Sequence, residues 1–431
     1  MVRGGVAEIW VAQGTYTPDQ SRTTGFTGPE SSFTLISGAA TYGGFPTGGG
    51  TWEQRNPALY ETILSGDAGV AGDSSDNSYH VVVASWTSAE TVLDGFTITG
   101  GNANGPAEHS LGGGLHNISG HPMVVRCLFT GNAAGKGAGV YNRQNRAKFF
   151  ECRFVSNVSR TDAGGMLDKH SNVILYRCVF ARNMAGRNGG GLFLHEQGEP
   201  WVVNCRFEGN SASNGGGVFN HHSGCLIFGC VVTGNTAVGC GGGQFNLECE
   251  QLVRSINCTF SNNRAGSSGG GLLDTSSPHA VVNCIFWGNR AAEDGPQIWM
   301  SEQSRVDIHH CCVQEGQPQV VVIDSTFDWR PGNIATDPRF VDANGPDGIA
   351  GTDDDRLNLA ADSPCIDAGD DGEVPSDVFD ADGDGDILER IAFDIAGHPR
   401  FVDDTDVPDA GIADPPRDDA VVDIGAYERR P

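Results

Sequence analysis

A cysteine recurs through the middle of this chain every 25 to 28 residues: Cys127, Cys152, Cys178, Cys205, Cys230, Cys258, Cys284 and Cys311. Two positions after each stands Phe129, Phe154, Phe180, Phe207, Val232, Phe260, Phe286 or Val313. Five positions after the first seven stands Asn132, Asn157, Asn183, Asn210, Asn235, Asn263 or Asn289. Glycine clusters such as Gly215-Gly216-Gly217 and Gly241-Gly242-Gly243 precede the next strand. Self-similarity at such a period marks a repeat architecture that grows along one axis. A repeat of about 26 residues is too short for strand–helix–strand crossovers and fits one coil of a parallel β-helix.

Each repeat reads as a strand, a turn, a glycine-rich strand and a loop. In Ile256-Asn257-Cys258-Thr259-Phe260 the period of two turns Ile256, Cys258 and Phe260 to one buried face. The cysteines then form an inward column of small hydrophobes. Cys225, Cys240, Cys249 and Cys312 fall outside that register and are the better disulfide candidates. The asparagine column reads as structural, its amides satisfying turn backbone. Residues 1–100 hold less regular strands at Ile9–Val11, Phe33–Ile36, Thr62–Leu64, His80–Ala84 and Thr91–Thr99. They read as early coils with longer loops, residues 101–315 as the regular repeats, and residues 316–431 as an Asp/Gly-rich cap. The expected stack is about 12 coils.

The acidity belongs to one end. Residues 331–431 hold 27 acidic and 7 basic residues, so this segment carries −20 of the net −27. Such a chain repels nucleic acid and anionic membrane and attracts divalent cations. No apolar stretch is long enough for a membrane-spanning helix, and no signal peptide is visible after Met1.

The Phe-x-x-Asn strand ends, Phe129-Thr130-Gly131-Asn132 and Phe207-Glu208-Gly209-Asn210, together with the Gly-Gly-Gly-Leu and Gly-Gly-Gly-Val segments, resemble the repeats of bacterial polymorphic outer-membrane proteins. Ile9-Trp10-Val11-Ala12-Gln13-Gly14-Thr15-Tyr16, Leu93-Asp94-Gly95-Phe96-Thr97-Ile98, Ser363-Pro364-Cys365-Ile366-Asp367-Ala368-Gly369 and Asp423-Ile424-Gly425-Ala426-Tyr427-Glu428 look like the secreted right-handed parallel β-helix repeat proteins. The resemblance implies an all-β, right-handed parallel β-helix in an extracellular or cell-surface setting. It leaves the chemistry open.

Aligning the coils on their glycines exposes two further columns. Three positions after the last glycine come Asn117, Asn142, Asp168, Leu194, Asn220, Asn246 and Asp274, a second polar ladder. The next two positions bring Arg143, Lys169, His170, His195, Glu196, His221, His222 and Glu248 into one expected patch. A polar strip on this fold suits a glycan, with His170, His221, His222 and Glu248 as binding groups. Two catalytic readings stand beside simple binding. Lys169 or His195 serves as the base of a polysaccharide lyase, with Arg143 neutralising a uronate carboxylate. Alternatively Asp168 and Glu196 act as paired carboxylates of a glycoside hydrolase. A solvated polar turn is the plain structural reading. The overall expectation is a secreted or surface scaffold of adhesin type that binds extracellular polysaccharide or other cell-surface components, with the enzyme as the alternative.

The acidic segment carries the metal candidates. Asp380, Asp382, Asp384 and Asp386 alternate around Gly385 as in the first half of a calcium loop, although Ile391 holds the twelfth position and Glu389 the tenth. Asp342, Asn344 and Asp347, followed by Asp353-Asp354-Asp355, make a second oxygen-rich cluster. Structural Ca2+ at one or both is expected. An N-terminal strand with little before it raises end-to-end self-association through an open sheet edge.

Overall fold

The computed structural model describes residues 2–3, 6–18, 28–412 and 421–430. They form two compact units, residues 1–200 and 201–431. In both, short strands stack in parallel, coil upon coil, as an all-β right-handed solenoid. A representative coil of the second unit has four strands, Val253–Ile256, Thr259–Ser261, Arg264–Ala265 and Leu272–Thr275. The short third strand occurs in four coils of each unit, so there are about eight full turns rather than the twelve expected. In the early coils loops take its place, such as residues 66–81 between the strands Thr62–Ser65 and Val82–Val83.

The expected continuous strand through Ile256–Phe260 is broken. Asn257 takes a left-handed conformation (φ 49°) and turns the corner between two sheets. Asn262 (φ 54°) and Ser276 (φ 50°) turn two further corners of the same coil. The left-handed residue and the one before it both face outward, so the inward set steps by three across each corner, as from Phe149 to Cys152 and from Phe154 to Asn157. Ile256, expected inward, therefore shares the outward position of Phe228 and is buried by the cover. The glycine cluster is a turn, not a strand. A Cβ on Gly241 (φ 68°) would stand 2.5 Å from the Phe245 Cβ, and one on Gly243 would stand 2.5 Å from the Gly271 carbonyl of the next coil. Glycine lets the coils close-pack at these points.

The inward columns match expectation. Phe260 and Phe286 stack at 4.7 Å with parallel rings, as do Phe154 and Phe180 at 4.4 Å. Asn263 Nδ2 donates to the Val232 carbonyl at 2.8 Å and to Asn289 Oδ1 at 3.0 Å, and Asn263 Oδ1 accepts from Asn235 N at 3.1 Å. All thirteen cysteines are free thiols, including the four disulfide candidates. The column thiols donate to carbonyls, as Cys258 Sγ does to Ile227 O at 3.3 Å. Burial pushes the Cys127 thiol up to about 12. At the N-terminal side, Val2–Arg3 pairs antiparallel with Val6–Ala12, so the expected open edge carries a short partner strand.

The acidic C-terminal segment covers the side of the second unit's coils. Val231, Thr259, Ile285 and Cys312 form an outward column in register, yet all are buried. Leu357, Ala426 and Tyr427 pack on Val231, while Leu359, Cys365, Ile366 and Ile424 pack on Ile285 and Cys312. Corner asparagines hold this cover. Asn204 Nδ2 donates to Phe393 O, Asn257 Nδ2 to Asp423 O and Asn283 Nδ2 to Asp370 O, at 3.1, 3.0 and 3.0 Å.

Candidate functional site

In the first unit, strands Val140–Arg143, Met166–Lys169 and Leu192–His195 pair in register, setting Arg143 beside Lys169 and Lys169 beside His195. Alternation along Leu192–His195 buries Leu192 and Leu194 and turns His195 outward. The following corner residues, Gln144, His170 and Glu196, are left-handed (φ 56°, 50° and 55°), which splays their side chains outward too. Glu196 gathers the cations around it. Lys169 Nζ lies 3.1 Å from its Oε2, His170 Nε2 2.5 Å from the same oxygen, and His195 Nε2 3.4 Å from Oε1. Partial burial pushes the Glu196 carboxyl up, but Lys169, His195 and His170 outweigh it and hold the group below the usual range. Arg143 Nη1 instead approaches Glu108 Oε1 at 3.6 Å, and His116 Nε2 takes Oε2 at 3.3 Å.

Asp168 is not part of this surface. It is 2% exposed and faces inward, accepting from Asn142 Nδ2 at 2.6 Å. Burial, partly offset by hydrogen bonds from Asn142 and Ser171, raises its carboxyl to about 7. Asp168 and Glu196 therefore do not form the paired carboxylates of a hydrolase: neighbouring coils place them on opposite sides of the wall.

In the second unit, His221 Nε2 and His222 Nε2 stand 3.5 and 3.1 Å from Glu248 Oε2, and His222 Nδ1 lies 2.8 Å from the Glu248 carbonyl. These three residues offer ligand atoms within 4.8 Å of one another. Each cation or imidazole of the expected patch thus already has a carboxylate nearby.

A Ser–His–Asp relay lies inside the coils, outside every expected site. His279 Nδ1 lies 3.1 Å from both Asp274 oxygens, and His279 Nε2 lies 3.0 Å from Ser255 Oγ. The geometry resembles a hydrolase triad, but His279 is 1% exposed and Ser255 and Asp274 are fully buried. No substrate reaches it, so the relay satisfies buried polar groups. Spacings of 5 and 24 residues carry no motif, hence the silence of the sequence.

In the cover, the Asp380–Asp386 loop is built from Asx turns: Asp382 Oδ1 accepts from Asp384 N at 3.3 Å, Asp384 Oδ1 from Asp386 N at 2.7 Å and Asp386 Oδ1 from Leu388 N at 2.9 Å. Oxygens of Asp380, Asp382 and Asp384 converge within 4.8 Å, as do those of Asp377, Asp382 and Glu389. Asp377 is 1% exposed, and its Oδ1, like Glu389 Oε1, is buried without a hydrogen-bond partner. Asp377 and Glu389 were outside the expected ligand set; Asp386 is outside the observed one. No such convergence involves Asp342 or Asp347 among the described residues. There Asn344 Oδ1 accepts from Asn262 Nδ2 at 3.2 Å and Asp347 Oδ1 from Ile349 N at 2.8 Å.

The motif acids brace the cover. Asp423 Oδ1 accepts from Asp367 N at 2.8 Å and its Oδ2 from Arg429 N at 2.6 Å; Asp371 Oδ1 accepts from Val422 N at 2.8 Å. Burial raises the Asp423 and Asp367 carboxyls to about 7 each. A groove of about 530 Å³ in the first unit is lined by Glu61, Thr97, Arg126 and Leu128 among others, and by no residue of the strip.

A family model described as a right handed beta helix region matches residues 190–358. No curated protein matches the chain. The crystal structure of pectate lyase Pel9A aligns over 98% of this chain and 88% of its own, with a TM-score of 0.52 and 14% identity. The chain is a right-handed parallel β-solenoid. At this identity the likeness is one of fold. No described helix is long and apolar enough to cross a membrane.

Proposed function

We propose that this protein is an extracellular or cell-surface β-solenoid scaffold that binds acidic polysaccharide without turning it over. The binding groups are Arg143, Lys169, His170 and His195 in the first unit and His221 and His222 in the second. The observation that carries this reading is the engagement of Glu196 by Lys169, His170 and His195 together. A glycan carboxylate can exchange with Glu196 as their partner, whereas the candidate bases Lys169 and His195 are already tied to an anion. The setting rests on the resemblance to secreted β-helix and polymorphic outer-membrane repeats. Affinity electrophoresis in polygalacturonate tests it: retardation at low salt should fade with added salt and weaken in Lys169→Ala and His195→Ala. Absence of retardation at low salt would reject it.

A polysaccharide lyase using Lys169 or His195 as base and Arg143 as neutraliser is the second reading, favoured by the shared fold of a pectate lyase. The cover further suits structural Ca2+ at Asp377, Asp380, Asp382, Asp384 and Glu389. Calcium prefers many oxygen ligands, and the partnerless Asp377 and Glu389 oxygens supply two that the protein leaves unsatisfied. Ca2+ should raise the unfolding temperature of the wild type and not that of Asp382→Asn. Equal responses would remove calcium from this loop.

A further inference from the structure

Where the solenoid meets its cover, two imidazoles face each other. His309 ends the strand Arg305–His309, and His310 (φ 48°) turns the next corner. His310 occupies the corner position that Asn257 and Asn283 fill in the preceding coils, where an amide grips the cover's backbone. Here His309 Nδ1 and His310 Nδ1 lie 3.2 Å apart, and Asp370 Oδ2 of the cover lies 3.9 Å from His309 Nδ1. Both histidines are at most 9% exposed.

We propose that His309 Nδ1, His310 Nδ1 and Asp370 Oδ2 bind one divalent transition-metal ion, zinc by ligand chemistry, which fastens the cover to the last coils. Two ligands at about 2.0–2.1 Å on a tetrahedral zinc stand about 3.4 Å apart. The imidazole pair matches that spacing, Asp370 Oδ2 must close on His309 Nδ1 by about 0.5 Å, and the three residues offer ligand atoms within 4.8 Å of one another. Two imidazoles and a carboxylate suit zinc, copper or nickel better than calcium. Neutral imidazole is the ligating form; burial, offset by Asp370 and reinforced by His309, pushes His310 below its usual value.

The ligands are held from behind. Asn283 Oδ1 accepts from Asp370 N at 2.8 Å while its Nδ2 donates to Asp370 O, and Asp370 Oδ1 accepts from Gly372 N at 3.0 Å, leaving Oδ2 for the metal. Gly332 (φ 86°) packs against the His310 ring so closely that a Cβ would stand 2.3 Å from Cδ2. Such support fixes ligand orientation before metal arrives. A fourth position remains for water.

The experiment uses the full chain stripped with chelator and titrated with Co2+ in excess Ca2+, following visible d–d absorption, then displaced by Zn2+. His221, His222 and Glu248 form another imidazole–carboxylate group, so the titration is run in the His222→Ala background. One equivalent should bind with a tetrahedral-type spectrum. Asp370→Asn and His310→Gln should each weaken binding at least tenfold while keeping the native circular dichroism spectrum. The proposal is overturned by no uptake in the His222→Ala protein, or by undiminished affinity in both ligand variants. Either result would leave the imidazole pair as a hydrogen bond only. If Asp370→Asn misfolds, His310→Gln alone decides. Loss of this site would leave the glycan and calcium readings intact, since neither uses these residues.

Discussion

The asparagine column offers the sharpest test of how the coils hold together. Asn263→Ala deletes four hydrogen bonds: two donated to Val232 O and Asn289 Oδ1, and two accepted from Asn235 N and Nδ2. Asn235 Nδ2 keeps its bond to Phe207 O at 2.8 Å, and Asn289 Oδ1 keeps the Asn263 backbone N–H at 3.0 Å. The buried Asn235 N–H loses its acceptor, a cost of about 1–3 kcal/mol by itself. Four bonds at roughly 0.5–1.5 kcal/mol each bring the expected loss to about 2–6 kcal/mol. Nearest-neighbour coupling should concentrate the damage in the adjoining coils. Urea unfolding gives the total, and native-state hydrogen exchange over residues 232–263 gives its location. Val238→Ala, at a side chain 78% exposed, should stay within about 0.5 kcal/mol. A loss below about 1 kcal/mol for Asn263→Ala would refute the ladder as a stabilising element.

Three further outcomes are expected. Twelve of the thirteen cysteines are buried and Cys240 is half-buried, so a thiol reagent should label about one site in the native protein and all thirteen after unfolding; slow labelling limited by disulfide reduction would contradict the free column. Asp367 and Asp423 are raised from 3.8 to about 7, so the folded chain holds protons that the unfolded chain releases. Their stabilisation is complete below about pH 4 and is lost as pH rises through about 7, at most roughly 4 kcal/mol for Asp423. In chelator, the urea midpoint of the 201–431 unit should fall between about pH 5 and pH 7.5, and a rise would contradict the assignment. Glu196→Gln removes the anion shared by Lys169, His170 and His195, so it should strengthen retention on polygalacturonate, whereas unchanged or weaker retention would count against competition at that site.

The period and the inward columns were legible because every coil turns its corners at the same positions, so equivalent residues stay in register although the inward set steps by three at each corner. The corners themselves were not, since Asn257, Ser276 and His310 carry no shared side-chain chemistry. The same parity separates Asp168 from Lys169: Asp168 shares a position with Asn117, Asn142 and Asn220, all buried, so its inward direction was written in the ladder. The lateral cover also left a trace. The outward position that reads Leu128, Arg153 and Val179 in the first unit reads Arg206, Val231, Thr259, Ile285 and Cys312 in the second, where the cover lies over it and Tyr427 Oη accepts from Arg206 Nη1. The register could be read, but not which distant segment would bury it. The Ser255–His279–Asp274 relay and the His309–His310–Asp370 group depend on contacts between coils or with the cover, beyond any local spacing.

The strip around Glu196 is expected to bind polysaccharide without turning it over. The most direct measurement incubates the protein with polygalacturonate in Ca2+ while recording ultraviolet absorbance of unsaturated ends, reducing ends and bound polymer in the same sample. Salt-sensitive binding with neither product is the expected result. Product formation that disappears in Lys169→Ala or His195→Ala would contradict it and establish the lyase.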